Sequence, residues 1–367
     1  MKALFKQKRN LILLCYPVGI LMLILARTNR DIAEHVFARG VYRVYGWIFS
    51  HINGILPFSV GEILLILFAI GMTAFPVVTI IFIIRSKRKL VTLVSSIRHL
   101  LIILGIVFLW FMIGAGTNYY RYEFSEFSGL KIQKSTVDEL YQLCMELAEK
   151  TNKARADLGI PDNEVFVSTL TNRERAGEAK KAMEKLGEKY DVLDGYYPYA
   201  KSVFFSKALS EFNITGVYFP WTVEANVNVD TVDYTKGSVL CHELSHLRGF
   251  MREDEANFIG YLAAVNSECA ELRYSGYMSA LVNAGNRLYD EDKDKYYEVR
   301  STYCEGIKLD FAENSRYWEQ YKNTALSQAG EKMNDTYLKI NNVQDGTKSY
   351  GRMVDLLLAE WRATPSP

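Results

Sequence analysis

The sequence predicts a multi-span α-helical membrane anchor, residues 1–117, followed by a mainly helical α+β domain, residues 118–367. The first part holds three long apolar stretches, with 13 Lys and Arg against 3 Asp and Glu; the second holds 30 against 39. A basic, apolar part suits a bilayer with anionic head groups, and an acidic part suits a water-exposed domain. Two short stretches rich in Val, Tyr, Phe, Trp and Thr predict one small sheet in the second part.

The three apolar stretches, about residues 11–26, 63–84 and 100–116, are predicted to be membrane spans. The second has no charged residue, and its helix of about 33 Å is long enough for a hydrocarbon core of ~30 Å. The other two need a few flanking residues to cross. The first could instead be a cleaved signal peptide because basic residues precede it, although no good small-x-small cleavage site follows.

The distribution of Lys and Arg predicts the orientation of these spans. The N-terminal tail and the loop between the second and third spans together carry nine positive charges, whereas the first loop carries four. The N-terminus is therefore predicted to be cytoplasmic, and the second part extracytoplasmic, at the cell membrane. The first loop mixes aromatic and basic residues, which predicts either an interfacial helix on the outer leaflet or a segment packed on the domain. Basic residues that only flank apolar runs, followed by an acidic domain, exclude a nucleic-acid footprint.

Apolar periodicity and residue type predict the elements of the second part. Helices are expected over residues 136–153, 171–190, 237–248, 252–265, 270–284, 290–325 with a break, 326–341 and 346–362, and strands over 202–205 and 215–228. Four cysteines lie here: Cys144, Cys241, Cys269 and Cys304. Disulfides are permitted outside the cytoplasm, but the spacing selects no pairing and equally allows free thiols.

The stretch SVLCHELSHLRGFMREDEANF, residues 238–258, holds both histidines of the second part. Its His242-Glu243-Leu-Ser-His246 segment is an HExxH pattern. Residues four apart share a helix face, with Cβ atoms ~5–6 Å apart, so both imidazoles can reach one metal ion at ~2.0–2.1 Å. Glu243 is displaced around the helix, where it can take a proton from a water on the open side of the metal. The spacing therefore predicts a Zn²⁺ site with a water-activating glutamate.

A turn after this helix is predicted to bring a third ligand. Gly249 lies three residues after His246, and a glycine there can adopt a positive φ and end the helix. The chain can then turn back and offer one of three carboxylates, Glu253, Asp254 or Glu255.

The competing interpretation is an ordinary polar helix on a solvated surface. Apolar residues at near-helical spacing flank the motif, however: Val239, Leu240, Leu244 and Leu247. Such a helix is at least half buried, where two histidines and a glutamate facing one direction need a partner. The second part has no further histidine and no CxxC pair, so the fourth metal position is predicted to be open to water, unlike that of a structural zinc site. Another divalent cation remains compatible with the same ligands.

Four segments together resemble a family of bacterial membrane proteins that is catalogued as a domain of unknown function and described as candidate zinc metallopeptidases. They are LPFSVGE (56–62), GVYFPWTVEANVN (216–228), the HExxH run (242–258) and RYSGY (273–277). The resemblance implies a zincin-like domain, with the small sheet placed before the active-site helix. It implies no substrate.

The run after the turn resembles zinc peptidases of the gluzincin type. In these the third ligand begins a Glu-x-x-small-Asp/Asn run, and the residue four positions later orients a ligand histidine. The resemblance implies Glu253 as the ligand and Asn257 as the orienting residue, with Glu255 as the alternative ligand. The distance departs from the pattern, since Glu253 follows His246 by only seven residues. Metzincins, which share the compact HExxHxxG turn, have a third histidine where this sequence has Arg252.

The expected function is that of a membrane-anchored zinc peptidase. Zn²⁺ would be held by His242, His246 and Glu253, with Glu243 as general base. An edge strand over residues 217–228 would pair with an extended peptide substrate. The alternative is a membrane sensor or transducer that binds a peptide or cell-wall ligand without turnover, whereas a purely structural site would not require the glutamate.

The group that stabilises a developing oxyanion is also predicted. Zinc peptidases use a His, Tyr or Arg for this purpose, and no histidine remains in the second part. Tyr274, within RYSGY, is the candidate catalytic residue. The chain has 24 tyrosines, most of which are expected to serve packing.

Overall fold

The computed structural model describes residues 8–341 and 352–364. The first part consists of helices. They are α1 (Cys15–Thr28), α2 (Arg43–Gly54), α3 (Val60–Arg85) and α4 (Lys89–Gly114), with a 3-10 helix Lys8–Leu14 before α1 and a π-helix Ile32–Tyr42 before α2. A second 3-10 helix, Gly116–Tyr120, connects α4 to the second part.

Three helical segments are long and apolar enough to cross a membrane. They are Asn10–Thr28, Val60–Arg85 and Lys89–Gly114, with mean hydropathies of 2.1, 2.5 and 2.2. In α3 none of the most apolar window is buried inside the protein, so its side chains need an apolar surrounding. The expectation of three helices of span length is confirmed. The third begins at Lys89 rather than near residue 100, because the basic segment before the apolar run is also helical.

The second part is mainly helical, as expected. Its helices are α5 (Phe124–Ser128), α6 (Val137–Ala156), α7 (Asn172–Lys189), α8 (Ser206–Glu211), α9 (Asp233–His246), α10 (Glu253–Val265), α11 (Ala270–Glu291), α12 (Lys293–Ser301), α13 (Glu305–Glu319), α14 (Ala325–Ile340) and α15 (Met353–Ala363). The break expected within residues 290–325 separates α12 from α13. The first residues of the helix expected over 346–362 lie outside the described residues.

Capping residues in the sequence explain where two of these helices begin. Thr136 accepts a hydrogen bond from the backbone of Glu139, whose side chain accepts from the backbone of Thr136. The same reciprocal pair, Thr171 with Glu174, starts α7. Each capping box satisfies two backbone donors that the helix leaves free. Each of the two helices then buries one apolar face in the main hydrophobic core. Buried residues of α9, α10 and α11 belong to the same core.

The sheet has three strands: β1 (Lys201–Ser202), β2 (Gly216–Phe219) and β3 (Glu224–Val227), in the order β1-β3-β2. β1 pairs with β3 in parallel, and β2 pairs with β3 antiparallel, with Gly216 opposite Val227. The edge strand expected over 217–228 is found only in part, because the chain turns between β2 and β3. Of these two strands, β2 lies at an edge of the sheet, as β1 does on the other side, and β3 is central. The strand expected over 202–205 ends at Ser202, and the chain continues into α8.

Two glutamates join this sheet to the start of α3. The Glu224 carboxylate on β3 accepts hydrogen bonds from the backbone of Val60 at 3.1 Å and of Gly61 at 2.7 Å. The Glu62 carboxylate accepts from the backbone of Phe204 at 3.0 Å and of Phe205 at 2.8 Å. Carboxylates suit a helix N-terminus, where backbone donors are free and the dipole favours negative charge. Two of the segments noted in the sequence, 56–62 and 216–228, therefore bind each other.

All five cysteines lie in the described ranges, and each is a free thiol. Cys144 and Cys241 are buried, and burial raises the pKa of the Cys144 thiol to about 12. The sequence allowed either disulfides or free thiols among Cys144, Cys241, Cys269 and Cys304, and the structure has free thiols.

Candidate metal centre

The HExxH pattern lies on the last turns of α9, and the chain reverses directly after it. His242 and His246 are one turn apart, and α9 ends at His246. Gly249 has φ +81°, as expected for a glycine that ends the helix. α10 then begins at Glu253, so that its first residue returns to the two histidines.

Three ligand-type side chains converge at this reversal. The Nε2 atoms of His242 and His246 are 3.2 Å apart. The Glu253 carboxylate lies 3.1 Å from the Nε2 of His242 and 4.0 Å from that of His246. One ligand atom from each residue lies within 4.8 Å of the others, a grouping that could hold a metal ion. The fit to a cation depends on which of these atoms carry protons.

The other ring nitrogen of each histidine is hydrogen-bonded to an oxygen acceptor. His246 Nδ1 lies 2.7 Å from the carbonyl oxygen of Phe250, and His242 Nδ1 lies 2.8 Å from Asn257 Oδ1. A carbonyl oxygen can only accept, so Nδ1 of His246 donates its proton and Nε2 keeps its lone pair. Hydrogen bonds of this kind fix the orientation of metal-binding histidines. Both Nε2 atoms therefore point into the space shared with Glu253.

Electrostatics in this space favour a positive charge. Burial lowers the pKa of His246 to about 4, so its ring is neutral. Burial also disfavours a charged His242, but the hydrogen bond to Glu253 and the negative charge of this carboxylate raise the pKa of His242 to about 9. Without a metal, a proton on His242 thus faces both the lone pair of His246 and Glu253. A metal cation would take the place of this proton.

Glu243 lies beside the three convergent residues without joining them. Its Oε1 is 4.0 Å from His242 Nε2, and its Oε2 is buried with no hydrogen-bond partner. Burial raises the pKa of Glu243 to about 8. An unpartnered buried carboxyl oxygen is costly, and active sites are where such groups persist. The residues therefore fit a cation site with a free carboxyl group next to it.

The structure separates the two carboxylates between which the sequence left a choice. Glu253 is the one at the histidines. Glu255 accepts hydrogen bonds from Arg252 at 2.8 and 2.9 Å and from the backbone of Phe124 at 2.6 Å. Its oxygens are thus occupied away from the histidines. Asn257 lies at His242, where the gluzincin resemblance places an orienting residue.

Tyr274 is not brought to this group. Its side chain is 0% exposed, and its hydroxyl donates to Asp310 Oδ2 at 2.5 Å. The Asp310 carboxylate also binds Arg155, so the hydroxyl belongs to a buried ionic network. A buried hydroxyl with this partner is not placed to contact a substrate at the histidines. The structure thus does not bring Tyr274 to the histidines, because α11 turns this face of RYSGY into the core; its catalytic role stays a prediction.

Three residues near the histidines were not identified from the sequence. A Cβ atom at Gly216, on β2, would lie 2.4 Å from Glu243 Oε1, so only glycine leaves room for this carboxyl group. The Tyr218 ring lies 5.7 Å from the ring of His246, and the Tyr42 hydroxyl donates to the His246 carbonyl oxygen at 2.9 Å. The β-rich segment was noted in the sequence, but nothing in the pattern indicated which face would meet α9.

Fold and side chains define a class: a mainly helical protein with three helices of membrane-spanning length and a second part that carries a buried His/Glu cluster able to hold a metal. The chain belongs to the family described as "Protein of unknown function (DUF3810)", whose model matches residues 37–358. No curated protein and no solved structure matches the chain. The family description names no activity, so the peptidase part of the resemblance stays a prediction.

Proposed function

We propose that the protein is a membrane-anchored, zinc-dependent peptidase with a zincin-like second part. The observation that carries the proposal is the convergence of His242 Nε2, His246 Nε2 and the Glu253 carboxylate beside the unpartnered, buried Oε2 of Glu243. A merely structural cluster would satisfy this last oxygen within the protein.

Each residue has a separate role in this proposal. His242, His246 and Glu253 hold the ion, which when bound supplies Lewis acidity that activates water and polarises a carbonyl group. Asn257 orients the ring of His242. Glu243 takes a proton from the attacking water and passes it to the leaving amine. Its position favours this exchange, since its buried Oε2 has no hydrogen-bond partner within the protein and can accept that proton.

The edge strand β2 provides a place for an extended substrate. Its partner is β3 on one side, which leaves the other side of Gly216–Phe219 at the sheet edge. Gly216 contacts Glu243, and Tyr218 lies next to His246, so the strand passes directly beside the cluster. A peptide added to this edge would form main-chain hydrogen bonds with β2 and place a peptide bond near the cluster. Of the residues 217–228 that were expected to pair with a peptide substrate, the proposal keeps only those in β2.

The proposed location follows from the charge distribution. The three apolar helices cross the cell membrane with the N-terminus in the cytoplasm, so that the second part lies on the extracytoplasmic side. The bonds between the second part and α3 also suit a sensor in which ligand binding is relayed to the helices. This alternative is separated from a peptidase by turnover.

The test is metal analysis and peptide cleavage with the full chain in detergent. Wild type should contain about one zinc per chain, and His246→Ala should lose it, with circular dichroism reporting that both are folded. Glu243→Gln should keep the zinc and lose at least ~10³-fold in cleavage of a degenerate peptide library. Glu268→Gln, at an exposed carboxylate, is the matched control and should cleave normally. Equal trace metal in wild type and His246→Ala would refute the proposal; a Glu243→Gln variant that still supports the cellular function would favour the sensor.

A further inference from the structure

The turn between β2 and β3 packs against the side of α4, before the C-terminal end of that helix. Trp221 Nε1 donates a hydrogen bond to the carbonyl oxygen of Val107 at 3.1 Å, and its ring lies 6.0 Å from that of Phe111. Val107 precedes the end of α4 at Gly114 by seven residues, about 10 Å of helix at ~1.5 Å per residue. If α4 crosses the membrane, this turn lies below the end of the helix, at the level of the outer leaflet.

Helix α2 has one face on the second part and one apolar face that the described protein leaves exposed. On the inner face, Tyr45 donates to the carbonyl oxygens of Pro220 and Trp221 at 2.8 Å, and Asn53 donates to that of Thr222 at 2.7 Å. The exposed side chains are Val44 (62%), Trp47 (61%), Ile52 (57%) and, just after the helix, Ile55 (82%). The first loop therefore packs on the second part with one face of α2, while the other face keeps an apolar surface of the kind expected for an interfacial helix.

A loop of the second part adds two aromatic rings to this apolar surface. Phe204 is 84% and Phe205 53% exposed, and the Glu62 carboxylate in the first turn of α3 binds the backbone of both. The loop is thereby fixed at the end of α3 that lies on the same side as α2. Aromatic side chains are enriched at membrane interfaces, where a helix enters the lipid.

The candidate centre is joined to the same membrane-facing surface. The Tyr218 hydroxyl donates to the carbonyl oxygen of Gly114, the last residue of α4, at 3.3 Å, and its ring lies against His246. Tyr42, the residue directly before α2, donates a hydrogen bond to the backbone carbonyl oxygen of His246. The side chain of Tyr218 thus contacts both the end of the span-length helix α4 and His246 of the candidate centre.

We propose that α2 and the Phe204–Phe205 loop lie in the outer leaflet and hold the centre at the bilayer surface, so that its substrates are juxtamembrane segments of membrane-anchored polypeptides. The lipid is identified as the occupant of the apolar face by continuity, since the chain enters this region from α1 and leaves it through α3. The substrate class rests on the proposed function, whereas the membrane position does not. A segment close to its own anchor reaches such a centre, while a site farther along a chain must fold back toward the lipid.

The membrane position is tested with the full chain in lipid nanodiscs that contain brominated phosphatidylcholine, which quenches nearby tryptophan fluorescence. Trp47→Phe should decrease the quenched fraction of the emission, because it removes a ring in contact with lipid. Trp318→Phe, in α13 of the second part, should increase it by removing an emitter that lipid does not reach. The proposal fails if Trp47→Phe and Trp318→Phe change the quenched fraction equally.

The substrate class is tested with a degenerate peptide of about 40 residues, which spans up to roughly 130 Å when extended, attached to the nanodisc lipid at one end. Mass spectrometry maps the cuts made by the zinc-loaded full chain, with Glu243→Gln as the blank. Cuts should cluster within about ten residues of the anchor, or roughly 33 Å of extended chain. The same library without its lipid should be cut at least tenfold more slowly.

The outcomes separate the two proposals. Cuts spread evenly along the peptide, or equal rates with and without the lipid, would overturn the substrate class and leave the peptidase proposal intact. An absence of cutting above the Glu243→Gln blank in every library would contradict the peptidase itself, and the substrate class with it. The quenching result stands in either case.

Discussion

The second part contains two buried polar clusters that each include a carboxylate and differ in their hydrogen bonds. In the network of Asp310, each carboxylate oxygen has donors: Tyr274 at 2.5 Å and Arg155 at 3.2 Å on one, and the backbone of Phe166 at 2.6 Å on the other. At the candidate metal centre, two imidazole nitrogens and the Glu253 carboxylate converge, and Oε2 of the neighbouring Glu243 is buried with no hydrogen-bond partner.

The difference shows what each cluster requires. A buried carboxylate surrounded by donors is complete, and its function is to fix the packing of the helices that supply them. The candidate metal centre is incomplete in this respect, because no donor of the described protein reaches the buried Oε2 of Glu243. The balance of donors and acceptors, rather than burial or the presence of charged residues, separates the structural network from the candidate site.

Asp310→Ala is the strongest perturbation of the complete network. It leaves the Arg155 guanidinium, 2% exposed, without its counter-charge, and we expect a loss of about 3–5 kcal/mol in the free energy of unfolding. Urea denaturation of the full chain in detergent measures this loss. The exposed control Asp290→Ala should change stability by less than ~0.5 kcal/mol. Zinc content should be unchanged in the folded fraction of both; zinc lost from folded Asp310→Ala would show that the two clusters are not independent.

Asn257→Ala tests whether the residue that contacts His242 from outside the candidate metal centre contributes to metal binding. Without the amide oxygen 2.8 Å from Nδ1, the ring of His242 loses the contact that orients it. We expect zinc affinity to fall 10–100-fold, or about 1.4–2.7 kcal/mol, in competition with a chelating dye. Asn283→Ala, on α11, should bind zinc like the wild type. Unchanged affinity in Asn257→Ala would mean that this contact does not orient a metal ligand.

The sequence predicted the parts of the site that depend on local spacing. Two histidines four residues apart on a helix must share a face, and Gly249 permits the reversal that brings Glu253 back. The choice between Glu253 and Glu255 could not be made from spacing alone, since both follow the turn. Their separation depends on Arg252 and the backbone of Phe124, and the second of these partners is 131 residues distant in sequence from Glu255.

For the fold, too, the sequence predicted the features that depend on local spacing and not those that depend on distant contacts. Helices follow from apolar periodicity within one segment, and the three span-length helices in the described part of the chain were found this way. The hairpin was missed because Thr222 and Val223 continue the strand-like composition, while the turn depends on a positive φ of 54° at Val223, a residue that rarely adopts it. Contacts of α2 with the second part join residues about 170 positions apart, for which a single sequence holds no signal.

Tyr274→Phe is the smallest change and decides the role of the residue about which sequence and structure disagree. It removes one of three donors to Asp310 while Arg155 and Phe166 remain, so we expect a loss of about 1–2 kcal/mol in the free energy of unfolding. The proposed cleavage activity of the folded protein should be unchanged, because the hydroxyl is 0% exposed and lies in the complete network. Tyr289→Phe, at a partly exposed ring, is the control for both measurements. A 10²–10³-fold decrease in cleavage rate at unaltered stability would instead assign Tyr274 to oxyanion stabilisation, as RYSGY suggested, and would require that the core around Asp310 open during the reaction.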